Sequence, residues 1–134
     1  MLIIDGQGGG LGRQLVASIK SSGLKAELWA VGTNSQATAA MMKAGADVGA
    51  TGENAVVACC RKADVILGPL GIALADALYG EITPAMAVAV GQSPAQRLLI
   101  PLNHCDTMVV GLADQSIARL VNCATAELLK LAQG

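Results

Sequence analysis

Aromatic and charged residues are both scarce in this chain. Phenylalanine is absent, tryptophan and tyrosine occur once each, and charged residues make up 14% of the 134 positions, against 53% hydrophobic ones. The core must therefore consist of aliphatic side chains and alanine, a composition typical of a parallel sheet covered by helices on both faces. Because so few charges leave little polar surface, we expect a homo-oligomer in which part of the apolar surface is covered.

Other missing features indicate which binding partners and which cellular compartment to expect. The net charge is −1 and the nine Lys and Arg residues are scattered, so we expect no nucleic-acid partner. No basic leader precedes the first apolar segment, and every long uncharged stretch is interrupted by polar residues, Gly or Pro. We therefore expect a cytoplasmic protein without membrane contact. The four cysteines lack Cys-x-x-Cys spacing, which predicts buried free thiols and no metal site.

A glycine-rich turn follows the first apolar segment, residues 2–5. Five glycines fall within seven positions, and a helical pattern of apolar residues begins directly after the first four of them; these glycines are Gly6, Gly8, Gly9, Gly10 and Gly12. A strand, a tight turn and a helix N-terminus form the arrangement with which α/β proteins bind phosphate through uncovered backbone N–H groups. The sequence therefore predicts an anion or nucleotide site at residues 6–12.

Strand and helix patterns alternate along the whole chain. The predicted strands are residues 2–5, 26–31, 46–48, 65–67 and 97–102, with a sixth at 108–111. The predicted helices are residues 11–21, 33–43 opened by a Thr33-x-x-Gln36 capping box, 53–61, 72–78, 84–90 capped by Thr83, and a last one capped by Asp114. This alternation predicts one Rossmann-like α/β domain over residues 1–134, a three-layer sandwich with a mostly parallel sheet of five to six strands.

Polar residues and glycines recur where the predicted strands end, and ligands of open α/β sheets bind at those carboxyl ends. The candidate cofactor-binding residues are Gly6, Gln7, Gly8, Gly9, Gly10, Leu11, Gly12, Thr33, Asn34, Gly68 and Pro69. Asp5, Arg13, Thr51, Glu53, Asn54 and Asn103 are candidates for orienting a ligand. Helix capping explains Thr33 and Asn34 equally well, and a carboxylate such as Glu53 also stabilises a helix N-terminus without any ligand.

The spacing Gly-x-x-x-Gly-x-Gly that begins at Gly6 resembles the cofactor turn of short-chain dehydrogenases and reductases, over about residues 2–35. The resemblance implies NAD or NADP as the ligand. An acid after the second strand would favour NAD and a basic residue NADP, but Thr33 and Asn34 are neutral, so both cofactors stay open. The catalytic Tyr-x-x-x-Lys of that family is absent, because Thr83 follows Tyr79 at the lysine position. We therefore expect no dehydrogenase activity of that kind.

A second resemblance covers essentially the whole chain. The motifs DGQGGG, GTN, KAGA, GATGENA, GPLGI and IPLN resemble a family of short bacterial proteins classed as a domain of unknown function. This resemblance implies a family and no activity.

Three functions remain open at this point. We expect a nucleotide-binding or sensing module to which no catalytic residue is assigned. The first alternative is a small enzyme for a phosphorylated or carboxylated metabolite, in which Asp5, Glu53, Asn103 and His104 converge. The second is an oligomeric structural subunit whose glycines serve packing alone. His104 and Cys105 are not expected to form a nucleophile and base, since adjacent residues of an extended segment point to opposite sides.

Overall fold

The computed structural model describes residues 1–102 and 106–133. Its strands are β1 (Leu2–Asp5), β2 (Trp29–Gly32), β3 (Val48–Thr51), β4 (Val65–Pro69) and β5 (Gln96–Ile100). Its helices are α1 (Gly10–Ser21), α2 (Ser35–Lys43), α3 (Glu53–Cys60), α4 (Pro84–Gln92) and α5 (Ile117–Gln133), and a short 3-10 helix (Leu70–Ala73) follows β4. The strands form one parallel sheet in the order β3-β2-β1-β4-β5.

Helices cover both faces of this sheet. Helices α1, α2 and α5 pack on one face, and α3, α4 and the chain between β4 and α4 pack on the other. On the central strand β1, Ile3 faces the first layer while Leu2 and Ile4 face the second, and none of the three is more than 1% exposed. The predicted three-layer, Rossmann-like α/β fold is therefore confirmed. Within the described ranges, no helix is long and apolar enough to cross a membrane.

The strand order reverses at β1. The chain runs outwards from β1 through β2 to β3, and it then crosses to the opposite side of β1 to form β4 and β5. Because every strand is parallel, the loops after β1, β2 and β4 leave the sheet at one common edge. A crevice at such a reversal is where open α/β sheets bind their ligands.

Strands β2 and β3 begin later than predicted. Strand β2 begins at Trp29, which pairs with Leu2 on one side and Val48 on the other. Just before this pairing, the Leu28 N–H donates to the Asp47 carboxylate at 2.8 Å. This side chain accepts the hydrogen bond that a backbone carbonyl of a neighbouring strand would accept within a sheet. The apolar residues Ala26, Leu28 and Ala46 do not reveal this, because register with the neighbouring strand decides where each ladder starts.

The predicted helix at residues 72–78 is wrong. Only the short 3-10 helix forms there, and the chain then passes through Asp76, Leu78 and Tyr79 with φ angles of 66°, 57° and 56°, which no right-handed helix can contain. The apolar spacing that suggested a helix instead belongs to a loop whose Ile72 and Leu78 side chains reach the core.

The predicted sixth strand at residues 108–111 is also wrong, since this segment ends in a turn. Two of its three apolar side chains are open to solvent: Met108 is 76% exposed and Val110 is 92% exposed. A buried strand was expected because the run is apolar, but the five-stranded sheet does not include this segment. The predicted homo-oligomer, which would cover such residues, stays a prediction.

The cap of α2 differs from the predicted Thr33 capping box. Asn34 is the N-cap residue, and its side-chain oxygen accepts the Ala37 N–H at 2.9 Å. The Thr33 hydroxyl donates elsewhere, to Glu81 at 2.9 Å. Threonine and asparagine both cap helices well. Asn34 takes the cap position here because the Thr33 hydroxyl bonds to Glu81 instead.

Of the predicted caps of α4 and α5, the first is confirmed and the second is wrong. The predicted start of α4 is confirmed, with Pro84 in its first turn and the Thr83 hydroxyl accepting a backbone N–H at 3.2 Å. The predicted Asp114 cap is wrong: helix α5 begins at Ile117, and the Ser116 hydroxyl oxygen accepts the N–H of the third helical residue at 3.2 Å.

Candidate functional site

A buried carboxylate ties together the two ends of the loop between β1 and α1. The Asp5 side chain accepts the Gly6 N–H at 2.8 Å with one oxygen and the Gly12 N–H at 2.7 Å with the other. Asp5 is 5% exposed, and this burial raises its pKa despite the opposing effect of both hydrogen bonds. Asp5, which the sequence suggested as a ligand-orienting residue, thus has a structural role in shaping the turn.

A second carboxylate, that of Glu81, connects this loop to the end of β2. One oxygen accepts the Gln7 N–H at 2.6 Å and the Thr33 hydroxyl at 2.9 Å, and the other accepts the Asn34 side-chain amide at 3.1 Å. Burial alone would raise the pKa of Glu81, but these three hydrogen bonds together bring it below the usual value. Glu81 is therefore an anion at neutral pH.

Sequence reasoning missed Glu81. It is 74 residues from Gln7 and 48 from Thr33, and no local motif connects them. One signal was available: Asp76 and Glu81 are the two acidic residues between Asp64 and Asp106, in a long apolar part of the chain. An isolated acid in such a stretch needs a partner, because a buried carboxylate without hydrogen bonds is costly.

The segment that carries Glu81, residues 74–83, has an unusual backbone. Asp76, Leu78, Tyr79 and Gly80 all lie in the left-handed region, with φ between 56° and 84°. This conformation costs about 1–2 kcal/mol for each residue with a side chain. The backbone closes on itself, because the Asp76 N–H donates to the Ile82 carbonyl at 2.7 Å. Strain of this kind persists where the surroundings enforce it, and it concentrates at functional sites.

Two neighbouring substitutions should change the stability of the fold in opposite directions. We expect Tyr79→Gly to raise the free energy of unfolding by ~0.5–1 kcal/mol, because it relieves left-handed strain that exceeds the added chain entropy. Little contact is lost, since Tyr79 is 92% exposed. Gly80→Ala should lower it by about 1 kcal/mol through strain alone, because the new Cβ meets no atom within 4 Å. Urea denaturation measures both, and a less stable Tyr79→Gly protein would contradict the observed backbone.

Three glycines of the turn are required by the fold itself. A Cβ at Gly6 would lie 2.5 Å from a carboxylate oxygen of Glu81, and one at Gly12 would lie 2.6 Å from a methionine sulfur of α2. Gly9 has φ 73°, and its Cβ would lie 2.9 Å from the Ala37 backbone. These positions need glycine whether or not a ligand binds.

At Gly8 and Gly10, by contrast, the fold does not require glycine. Neither has a positive φ, and a Cβ at either position would meet no atom within 4 Å. Both residues are exposed. The N–H groups of Gly8, Gly10 and Leu11 find no acceptor within residues 1–102 and 106–133, whereas the N–H of Gly9 donates to the Gly6 carbonyl at 2.9 Å. Gly8 in the loop and the first two residues of α1 thus leave three backbone donors available to an anion.

The side chains of the remaining candidates after β3 and in α1 make no hydrogen bond to this loop within the described residues. Glu53 accepts the Thr83 hydroxyl at 2.6 Å, and the hydroxyl of Thr51 bonds to that of Thr38 at 2.7 Å. Two more candidates, Arg13 and Asn54, are exposed, and neither side chain has a partner in the described part of the chain.

The last candidate site residues lie at the end of β4 and after β5. Gly68 and Pro69 are buried at the end of β4, and a Cβ at Gly68 would overlap the carbonyl oxygen of Ile4 on the adjacent strand. The glycine there serves the close approach of β4 to β1. Asn103 and His104 lie outside the described residues.

Two cysteines of α3 are poor nucleophiles. Burial raises the pKa of Cys60 to about 11 and also raises that of Cys59 above its usual value. Since the thiolate is the reactive form, both thiols are largely unreactive at neutral pH. Cys59, Cys60 and Cys123 are all free as predicted, but of these three only Cys60 is fully buried, and Cys123 is exposed.

Comparison with known proteins places the chain in a family. Residues 1–133 match the family model described as Domain of unknown function (DUF3842). The chain belongs to this family. No curated protein and no solved structure matches the chain. Membership confirms the predicted assignment to a family of unknown function, and the function of this DUF3842 protein must be inferred from its fold and its site.

Proposed function

We propose that this protein binds a nucleotide, of the NAD or NADP class, at the turn between β1 and α1, and that it acts as a binding or sensing module. The observation that carries the proposal is the set of three N–H groups without acceptors in the described residues, at Gly8, Gly10 and Leu11. Glycine occupies two of these positions although the fold does not require it there. A phosphate bound to these donors would also be stabilised by the dipole of the 12-residue helix α1.

The position of the turn supports a nucleotide over an isolated anion. The turn follows the central strand at the reversal of the strand order, and the sheet order β3-β2-β1-β4-β5 is the one in which dinucleotides bind across this crevice. The loop after β2 lies directly beside the turn, because the Asn34 side chain donates to the Gln7 carbonyl at 2.9 Å. A ligand larger than phosphate would therefore meet polar groups from two loops.

The carboxylates that an enzyme could use here have other partners. Asp5 accepts two backbone N–H groups of the turn, and Glu53 accepts the Thr83 hydroxyl. A general acid or base must be free to reach a substrate proton. Both oxygens of the buried Asp5 are engaged by these N–H groups, which favours binding without catalysis at Asp5, whereas Glu53 accepts the Thr83 hydroxyl with one oxygen only.

Titration of the wild-type protein with NAD⁺, NADP⁺ and ATP tests the proposal. We expect calorimetric binding of at least one nucleotide and an increase of the melting temperature with its concentration, because a ligand at 100 times its Kd stabilises the folded state by about 2.7 kcal/mol. Absence of both signals with all three nucleotides would contradict the proposal and favour the structural subunit. Turnover of NADH or NADPH with a carbonyl substrate would favour the enzyme.

A further inference from the structure

The proposed nucleotide site leaves open which of the two nicotinamide cofactors is preferred. We propose that the Glu81 carboxylate binds the ribose hydroxyls of the nucleotide and selects NAD over NADP. This inference rests on the proposed function, because it assumes that the pyrophosphate lies at the N–H groups of Gly8 and Gly10.

Glu81 lies where a dinucleotide fold normally carries its ribose-binding acid. That acid ends the second strand, next to the glycine turn, and accepts the ribose hydroxyls. Here Gly32 at the end of β2 pairs with Asp5, and the Thr33 N–H donates to the Asp5 carbonyl at 3.0 Å, so the loop after β2 adjoins the turn. Residues 32–35 contain no acid. Glu81 reaches the same place from the segment before α4.

The carboxylate of Glu81 is held rigidly and still has accepting capacity. Its first oxygen accepts hydrogen bonds from Gln7 and Thr33, while its second accepts from Asn34 alone. A carboxylate offers about four acceptor positions, so the second oxygen has room for a hydroxyl donor. Because three hydrogen bonds already orient the group, little side-chain entropy is lost when a ribose binds.

Charge accounts for the selection between the two cofactors. A ribose diol donates to an anionic carboxylate in charge-assisted hydrogen bonds, which are about twice as strong as neutral ones. A 2′-phosphate would instead place a second anion against Glu81. The three groups that the structure shows on Glu81 are a backbone amide, a hydroxyl and a side-chain amide, and none carries a compensating positive charge.

The test compares NAD⁺ and NADP⁺, which differ only in the 2′-phosphate, by calorimetry at fixed ionic strength. Wild type should bind NAD⁺ at least tenfold more tightly than NADP⁺. Glu81→Gln should lose NAD⁺ affinity and bring the two affinities within about threefold of each other. Glu127→Gln is the matched control, because it makes the same change in an exposed ion pair with Lys130 on α5. It should retain the wild-type ratio.

The outcomes separate this inference from the proposed function. Equal wild-type affinities, a preference for NADP⁺, or an unchanged ratio in Glu81→Gln would each overturn the role of Glu81 while nucleotide binding stands. Binding of neither cofactor would overturn the proposed function itself. If circular dichroism shows that Glu81→Gln is unfolded, Glu81→Asp replaces it. Its shorter, charged side chain should weaken NAD⁺ binding and still disfavour NADP⁺, and a reversed preference would contradict the inference.

Discussion

Replacement of Gly10 with valine should weaken binding of the preferred nucleotide by well over tenfold, which corresponds to more than about 1.4 kcal/mol. The new side chain would occupy the space in front of the backbone N–H groups that the phosphate needs. The fold should tolerate the change, because Gly10 has no positive φ and a Cβ there meets no atom within 4 Å. Gly10 is also the first residue of α1, where a branched side chain meets no preceding helical turn.

Gly91→Val provides the matched control for Gly10→Val. Gly91 is also an exposed helical glycine with open space around its Cβ position, but it lies near the end of α4. Calorimetric titration of NAD⁺, NADP⁺ and ATP should show wild-type affinity for the control and a large loss for Gly10→Val. Circular dichroism and sedimentation must first show that both variants keep the wild-type fold and assembly. A folded Gly10→Val protein with unchanged affinity would show that the turn is not the phosphate site.

The substitution Gly68→Ala should instead affect the stability of the fold and lower the free energy of unfolding by about 3 kcal/mol. A Cβ at Gly68 would overlap the backbone carbonyl oxygen of Ile4 and lie 3.0 Å from the Ile72 side chain. The Ile72 side chain can move, but Ile4 belongs to the central strand β1, which is paired with β2 and β4. The two strands must therefore separate. Such a loss is a large fraction of the 5–15 kcal/mol typical of a domain.

Urea denaturation of Gly68→Ala and Gly10→Ala measures this difference directly. Gly10→Ala should change the free energy of unfolding by less than about 0.5 kcal/mol, because its Cβ lies in open space. A loss below about 1 kcal/mol in Gly68→Ala would mean that β4 does not approach β1 as closely as observed. Together with the binding data, the two variants distinguish glycines that pack the sheet from glycines that leave N–H groups uncovered.

The glycines also show how far the sequence could define the site. The sequence marked Gly6, Gly8, Gly9, Gly10 and Gly12 as one ligand-binding group, and their density is real information about a tight turn. The sequence could not separate the glycines that the fold requires from those that leave N–H groups uncovered, because the need for glycine at each position depends on which atoms pack against it. The neighbours of Gly6 include Glu81, and those of Gly12 include Met41 of α2; both reach the turn only in the folded chain.

The sequence by itself determined the fold class, the glycine turn after the first strand and the start of α4 at the Thr83 cap. These follow from local patterns: apolar runs buried on both sheet faces, glycine at a tight turn, and a hydroxyl residue before proline. Only the tertiary structure decided the left-handed backbone around Tyr79 and the position of Glu81, whose hydrogen bond to Gln7 joins residues 74 apart. The physical reason is that contacts between distant segments, like the register that sets where β2 begins, form only when the chain packs, and no local pattern contains them.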